Sequence, residues 1–302
     1  MKPPTNPASG ILLVDKPQGI TSHDVVARTR KLAGTRKIGH AGTLDPMATG
    51  LLVLGMNSST RLLTFMVGLG KEYSATIRLG QSSDTDDAEG TLGEAVDASA
   101  IGDDQIAAGI ARLTGEISQV PSSFSAIKVD GKRAYALARA GEDVELKSRT
   151  VTISAFEVLA TRRSAPFIDL DVRVECSSGT YIRALARDLG DALGVGGHLT
   201  ALRRSRVGPF DVADAATLET LVVNDRLLSP ASVATALFPS HTLDGQDVID
   251  LVHGKRLTVE GLESTAGPIA GLGPDGRLVG LLEVRGSTVR AIVNFPTDEV
   301  LE

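Results

Sequence analysis

Residues 39–54 read GHAGTLDPMATGLLVL, and the rest of the chain is organised around this stretch. Its glycines at 39, 42 and 50 predict turns with backbone angles that other residues avoid. Asp45 precedes a proline, which biases Asp45 toward extended backbone and so fixes the direction of its carboxylate. Residues 51–54 form a short apolar run that predicts a buried strand. A polar loop on a buried strand is a suitable support for a catalytic group.

His40 and Asp45 also have ordinary interpretations, because a lone histidine is more often structural and an aspartate in a glycine-rich loop is more often a turn residue. The complete string, however, resembles almost residue for residue the signature loop of the pseudouridine synthase B family of tRNA-modifying enzymes. This resemblance implies that Asp45 is the catalytic residue and that His40 positions the substrate nucleotide. It covers residues 10–210 well and the remaining residues loosely.

Further segments carry the same resemblance. The strand end DKPQG at 15–19 contains Lys16, and KEY at 71–73 contains Tyr73, which in the family stacks on the target base. From the pattern alone, Lys16 is equally well a solvated lysine. Tyr73 lies on the apolar side of an alternating strand and could be a core tyrosine.

Another matching segment, CSSGTYIR, ends at Arg183. In the family this arginine pairs with the catalytic aspartate, so the resemblance implies an Arg183–Asp45 pair and places Tyr181 in the base pocket. A cation in the first turn of the predicted helix opposes the helix dipole, which also suggests a carboxylate partner. Leu202 matches the leucine that packs against the flipped base. Without the resemblance, Arg183 would be interpreted as a surface arginine.

The resemblance implies an α+β protein with the pseudouridine synthase fold, in which helices flank a central mixed or antiparallel sheet. We expect a catalytic domain at 1–237 and a small, mostly β, PUA-like RNA-binding domain at 238–302. In the second domain, short strands are predicted near 254–256, 276–282 and 288–295.

The net charge of −6 argues at first against a nucleic-acid partner. Residues 81–104 carry eight acids and no Lys or Arg, and residues 214–302 carry 13 acids against six bases, so the other residues carry a net charge of +9. A positive main body can still bind RNA phosphates. Each basic cluster could equally be a solvated surface, and the candidates are Arg28, Lys31, Arg36, Lys37, Lys128, Lys132, Arg133, Arg203, Arg204 and Arg206.

The acidic residues 84–90 do not have the spacing of a calcium-binding loop, and we interpret them as a solvated loop. The five histidines are scattered and Cys176 is the only cysteine, so no metal-ligand spacing or disulfide framework is predicted. No signal peptide or membrane span is evident. The expected protein is a cytoplasmic monomer that needs no cofactor or metal and does not bind membranes.

The implied reaction is isomerisation of uridine to pseudouridine at position 55, in the T-arm loop of tRNA. The target base leaves its stack, the N1–C1′ bond breaks, and C5 joins C1′. Asp45 could attack C1′, add to the ring or remove a sugar proton, and the sequence leaves these three roles open. Two alternatives remain. One is a noncatalytic RNA-binding or RNA-folding protein on the same scaffold, and the other is a glycosidase-like hydrolase, which usually needs a second carboxylate.

Overall fold

The structure is a computed structural model, and it describes residues 8–122, 146–258, 262 and 265–295, together with the backbone of 128–129 and 132–133. The side chains of Lys128, Lys132 and Arg133, which are candidates for phosphate contacts, lie outside the described residues.

Two strands of the first sheet, at 10–16 and 49–56, are almost entirely buried, whereas others alternate between buried and more exposed side chains. The clearest case is Phe167–Cys176, where every second side chain is buried, as expected for a strand with one face on the core. The strands in the first 217 residues are β1 Gly10–Lys16, β2 Ile38–Ala41, β3 Thr49–Met56, β4 Lys71–Leu79, β5 Gly115–Gln119, β6 Lys128–Val129, β7 Lys132–Arg133, β8 Arg149–Ser164, β9 Phe167–Cys176, β10 Gly197–Val207, β11 Phe210–Asp211 and β12 Ala216–Thr217.

The first helix has clear end signals in its sequence. The first begins after Thr21, whose side chain accepts a hydrogen bond from the backbone N–H of Asp24 while Asp24 accepts one in return, and it ends at Gly34, with φ 65°. The helices are α1 Ser22–Ala33, α2 Leu63–Val67, α3 Asp103–Arg112, α4 Ile182–Ala192, α5 Pro230–Leu237 and α6 Gly245–Val252.

Within the described residues, ten strands form one mixed sheet in the order β12-β1-β3-β10-β4-β9-β8-β5, with β2 paired to β3 and β11 paired to β10. Most neighbours are antiparallel, whereas β10 pairs with β3 and β12 pairs with β1 in parallel. Helix α4 packs its apolar side chains on this sheet in one core cluster with β4 and β9. The predicted α+β class with a large mixed sheet is therefore confirmed.

A second sheet lies in the C-terminal part of the chain, in the order β13-β14-β15-β16. The prediction of a strand at 254–256 is wrong, because only Leu257 pairs there, in an isolated bridge to Val289. The segment also contains helix α6, which the turn-rich pattern did not indicate. The strands are β13 Ser240–Thr242, β14 Ile269–Leu272, β15 Leu278–Arg285 and β16 Thr288–Asn294.

The two sheets share apolar contacts. One core cluster contains Leu51 and Val53 of β3 together with Ala270 of β14 and Leu281 of β15. The Phe65 and Phe238 rings also meet edge to face, with centroids 5.6 Å apart. None of the helices in the described part of the chain is both long and apolar enough to cross a membrane.

Candidate functional site

The 39–54 stretch forms a hairpin in which β2 and β3 pair antiparallel and residues 42–48 connect them. Gly42 and Gly50 have φ angles of 79° and 100°, as the glycine pattern predicts. A Cβ at Gly50 would lie 2.3 Å from the Arg204 carbonyl oxygen, so only glycine fits there. Gly39 instead lies inside β2, and the prediction of a turn at this glycine is wrong.

Both neighbours of Asp45 are fixed by residues near the start of the chain. The Ser22 hydroxyl accepts from the Leu44 N–H at 2.9 Å and donates to the Leu44 carbonyl at 3.1 Å. The Pro46 carbonyl accepts from the Gly19 N–H at 2.8 Å. With Leu44 and Pro46 held, little backbone freedom remains for Asp45 between them.

Lys16 also holds this loop, and its side chain is completely buried. Its ammonium donates to the carbonyl oxygens of Pro17 at 2.9 Å, Ile20 at 2.7 Å and Pro46 at 3.3 Å. Burial lowers the pKa of Lys16 to about 8, and the Asp45 carboxylate opposes this shift. The ammonium of Lys16 thus fixes the Asp45 loop, and its predicted role in substrate binding stays a prediction.

Arg183 lies between two carboxylates. Its Nε is 3.0 Å from Oδ2 of Asp45, and its Nη1 is 3.2 Å from Oδ2 of Asp87. The Arg183 and Asp87 side chains are 4% and 5% exposed, whereas that of Asp45 is 37% exposed. The structure thus brings Arg183 to Asp45, as the resemblance implied, and leaves the Asp45 carboxylate as the accessible member of the cluster.

The protonation of Asp45 depends on opposing effects. Burial raises the pKa of the Asp45 carboxyl above its ordinary value, the Arg183 guanidinium lowers it, and the nearby Asp87 carboxylate raises it further. The net direction is upward. The cost of partly removing this carboxylate from water therefore outweighs the attraction of the adjacent arginine.

The acidic loop at 84–90 was wrongly interpreted as solvated, because Asp86 and Asp87 are buried. Asp86 has a φ of 61°, a conformation that aspartate tolerates better than most residues. Its carboxylate pairs with Arg187 at 3.0 Å, one turn after Arg183 on α4. The position of Arg183 in the first turn of α4 indicated a carboxylate partner. The sequence did not show that the acidic loop supplies a second carboxylate partner, Asp87.

Two polar side chains that the sequence analysis did not identify complete the surroundings of Arg183. The Ser122 hydroxyl donates to the Thr85 carbonyl at 3.1 Å and lies 3.2 Å from Nη1 of Arg183. Gln119 holds the backbone of Tyr181, accepting from its N–H at 2.8 Å and donating to its carbonyl at 3.0 Å. Both residues fix the start of α4, which carries Arg183.

Tyr73 and Leu202 lie on the neighbouring strands β4 and β10, in one buried apolar cluster with Leu44 and Met47 of the Asp45 loop. Tyr73 thus belongs to the core and also to the surroundings of Asp45. Burial raises the pKa of the Tyr73 hydroxyl, and a hydrogen bond from Arg204 opposes the rise. Tyr181 is half-buried, and its ring lies 5.5 Å from the guanidinium carbon of Arg149.

Each arginine of β10 has partners within the protein, and burial contradicts the predicted phosphate contact for Arg204 alone. Arg203 pairs with Asp15 at 2.7 Å, and Arg206 lies 3.3 Å from Glu175. Arg204 is fully buried and donates to the Leu51 carbonyl at 2.7 Å and the Gly42 carbonyl at 3.0 Å. Arg204 therefore ties the hairpin to β10 and to the Tyr73 hydroxyl.

We expect Arg204→Gln to lower the free energy of unfolding by about 2–4 kcal/mol, because it leaves buried carbonyl groups without donors and opens a cavity. Urea unfolding followed by circular dichroism measures the change. Arg162→Gln is the matched control: Arg162 is half exposed and pairs with Asp171 at the surface, so its loss should cost less than about 1 kcal/mol. A loss below 1 kcal/mol for Arg204→Gln would contradict the structural role.

His40 lies on β2, and its ring meets that of His23 edge to face, with centroids 5.5 Å apart. Its Nδ1 is buried and has no hydrogen-bond partner among the described residues. Burial lowers the pKa of His40, and the adjacent His23 lowers it further. A neutral imidazole next to the loop fits positioning of the substrate better than acid catalysis.

The site combines one accessible carboxylate, a buried arginine that holds it, and an apolar floor formed by Tyr73 and Leu202. Among the described residues, no group of three or more His, Cys, Asp or Glu side chains could hold a metal ion. Such an arrangement can accept a flat ring on the apolar floor and bring a reactive carboxylate to its glycosidic carbon.

Three family descriptions match the sequence. Residues 30–182 match the N-terminal domain of the TruB family pseudouridylate synthases, residues 183–229 match a tRNA pseudouridylate synthase B C-terminal domain, and residues 238–296 match the C-terminal region of tRNA pseudouridine synthase II. A tRNA pseudouridine synthase B from Leifsonia xyli is 60% identical over 296 residues, covering 97% of this chain and 98% of the relative. The enzyme of the same name from Arthrobacter sp. is 54% identical over 300 residues, covering 96% and 98%.

Two solved structures have a similar fold at 26% sequence identity. A Cbf5-Nop10-Gar1 complex matches with a TM-score of 0.72, covering 96% of this chain and 86% of the compared chain. An H/ACA RNP bound to a substrate RNA containing 2′-deoxyuridine matches with a TM-score of 0.70, covering 98% and 93%.

Proposed function

The chain belongs to the TruB family of pseudouridylate synthases, and from this we propose that it isomerises uridine 55 in the T-arm loop of tRNA to pseudouridine. The observation that carries the proposal is the accessible Asp45 carboxylate, held 3.0 Å from the buried Arg183. The proposed partner is RNA, more narrowly the T-arm stem-loop. We also propose that the protein acts as a monomer in the cytoplasm and that residues 238–302 form a small RNA-binding domain.

In this proposal the target uridine leaves the loop stack, at a cost of about a few kcal/mol, and its base stacks on Tyr73 and packs on Leu202. Asp45 reacts with the nucleotide as the N1–C1′ bond breaks. The uracil then turns, C5 bonds to C1′, and the C5 proton is released. Tyr181 lines the base pocket, and His40 contacts the nucleotide as a neutral side chain. Lys16 and Arg183 act through Asp45, the first on its loop and the second on its carboxylate.

The noncatalytic RNA-binding alternative does not account for Asp45. Binding alone gains nothing from an accessible carboxylate close to RNA phosphates, because the two negative charges repel each other. The hydrolase alternative needs a second carboxylate within about 5–10 Å that can reach the sugar. Asp87 is near, but it is buried and faces Arg183. Glu89 is an exposed carboxylate close enough to Asp45 for the two charges to interact, so the reaction products distinguish isomerisation from cleavage of the glycosidic bond.

The test is tritium release from a T-arm stem-loop labelled at C5 of its uridines. We expect multiple turnovers without an added cofactor, one pseudouridine per RNA and no free uracil. A control RNA has cytidine in place of the target uridine and should release no tritium. Binding without tritium release would contradict the proposed function and support the noncatalytic alternative, whereas free uracil would support the hydrolase.

We expect Asp87→Asn to move the acid limb of the pH–rate profile to lower pH. Asp45 must be ionised to react, so activity is lost as the pH falls through its pKa. The Asp87 carboxylate raises that pKa, and removing its charge lowers it. The measurement is kcat from about pH 4 to 8, the range around an ordinary or raised aspartate pKa. An unchanged limb or a shift to higher pH would contradict the assignment of this limb to Asp45.

A further inference from the structure

Two groups of basic side chains on the described surface differ in their partners. On the outer face of the large sheet, arginines are paired with carboxylates: Arg78 with Asp169, Arg162 with Asp171, Arg163 with Asp103, and Arg173 with Glu72, Glu157 and Glu175. Because each of these arginines already has a carboxylate, this face has little net positive charge with which to attract phosphate.

The second group lies on α1 and the loop that follows it. Arg28, Lys31, Arg36 and Lys37 are exposed, and in the described part of the chain none of them forms an ion pair. The only carboxylate in α1 is Asp24, and it accepts hydrogen bonds from the N–H and hydroxyl of Thr21. We call these four residues the α1 basic surface.

This surface is connected to the candidate site at two points. Ser22, the first residue of α1, holds Leu44 next to Asp45, and His23 contacts the ring of His40. At the other end, Arg30 in the last turn donates to the Ile38 carbonyl at 2.8 Å, which fixes α1 against the start of β2. At about 1.5 Å per residue, Arg28 and Lys31 lie roughly 9 and 14 Å along α1 from Ser22, so these cations lie at some distance from the site.

We propose that the α1 basic surface binds backbone phosphates of the tRNA strand that leads away from the target uridine. The inference rests on the proposed function, because that function supplies the RNA and the position of its target nucleotide at Asp45. Its chemistry is phosphate neutralisation by exposed cations, without base recognition. It also limits the RNA path, since the paired arginines of the outer sheet face are excluded from it.

The test compares two triple variants with the same change in net charge, both in an Asp45→Asn background that prevents turnover. The first is Arg28→Gln, Lys31→Gln and Lys37→Gln. The matched control is Arg78→Gln, Arg162→Gln and Arg163→Gln on the outer sheet face. Binding of the T-arm stem-loop is measured by fluorescence anisotropy at several salt concentrations, and kcat at saturating RNA is measured for both triples with Asp45 intact.

We expect the first triple variant to bind the stem-loop about 10-fold or more weakly at low salt. The slope of log K against log salt should become less negative by about 2, since each lost phosphate contact removes roughly 0.7–0.9 from its magnitude. Its kcat should stay within twofold of the parent, and the control should change neither affinity nor slope appreciably. An unchanged slope, or equal weakening in both triples, would overturn the inference. If the parent shows no tritium release but the binding results are as expected, the proposed activity fails and the RNA-binding surface stands.

Discussion

Asp45→Asn is expected to lower kcat by at least about 10⁴-fold, because the amide can neither attack as a carboxylate does nor accept a proton at neutral pH. The fold and the RNA affinity should be nearly unchanged, since the side chain is accessible and its neighbours Leu44 and Pro46 are held by other residues. Single-turnover tritium release measures the loss, and anisotropy measures the affinity.

The chain contains a matched control for this substitution. Asp86 is also an aspartate paired with an arginine of α4, at 3.0 Å from Arg187, but it is buried away from the reactive carboxylate. Asp86→Asn should reduce kcat by less than about 10-fold in the folded protein, because it leaves the reactive group in place; since the pair is buried, folding is checked first by circular dichroism. Comparable losses in both variants would mean that Asp45 supports the structure and does not react.

Arg183→Gln should have the second largest effect. It removes the cation that opposes the raised pKa of Asp45 and leaves the buried Asp87 without its arginine. The pKa of Asp45 then rises further, so the acid limb of the pH–rate profile moves to higher pH, opposite to the shift expected for Asp87→Asn. Loss of orientation should also lower kcat on the plateau by about 10²-fold or more.

Because breaking a buried ion pair can cost about 3–5 kcal/mol, folding of the Arg183→Gln variant is checked by circular dichroism before kinetics. Arg183→Lys retains the charge and loses the planar contact. Its acid limb should therefore lie close to that of the parent, whereas its plateau kcat should stay low. Arg187→Gln, one turn later, should leave the limb unchanged. If Arg183→Gln moved the limb to lower pH, the electrostatic account of Asp45 would be wrong.

Sequence reasoning identified the local features of the site well. The glycine-rich loop before a buried strand and the pairing of Arg183 with Asp45 depend on a short-range pattern or on an almost complete motif, and the structure shows both. Strands such as β4 and β9 were also predictable, because they alternate cleanly between apolar and polar residues, and β3 was predictable from its continuous apolar run.

The failures have a common physical cause. Lys16, Asp87 and Arg204 are polar in sequence and buried in structure, and their burial depends on partners 30 to 162 residues away. Propensity and periodicity carry no information on such distant pairings, so a charge in a loop is assigned to solvent by default. The prediction of short elements in the C-terminal segment, such as helix α6, failed because their sequence patterns span too few residues.

The apolar cluster shared by β3, β14 and β15 has a consequence for how the molecule loses its structure. The strand that anchors the Asp45 loop contributes side chains to the same core as the C-terminal sheet. Melting of the C-terminal sheet therefore removes packing from behind the reactive loop, and the two parts are coupled thermodynamically although they are separate in sequence. Heat or urea should accordingly abolish catalysis and the C-terminal structure in one cooperative transition. Enzymatic activity then reports on the C-terminal sheet, although the proposed uridine site contains no residue of that sheet.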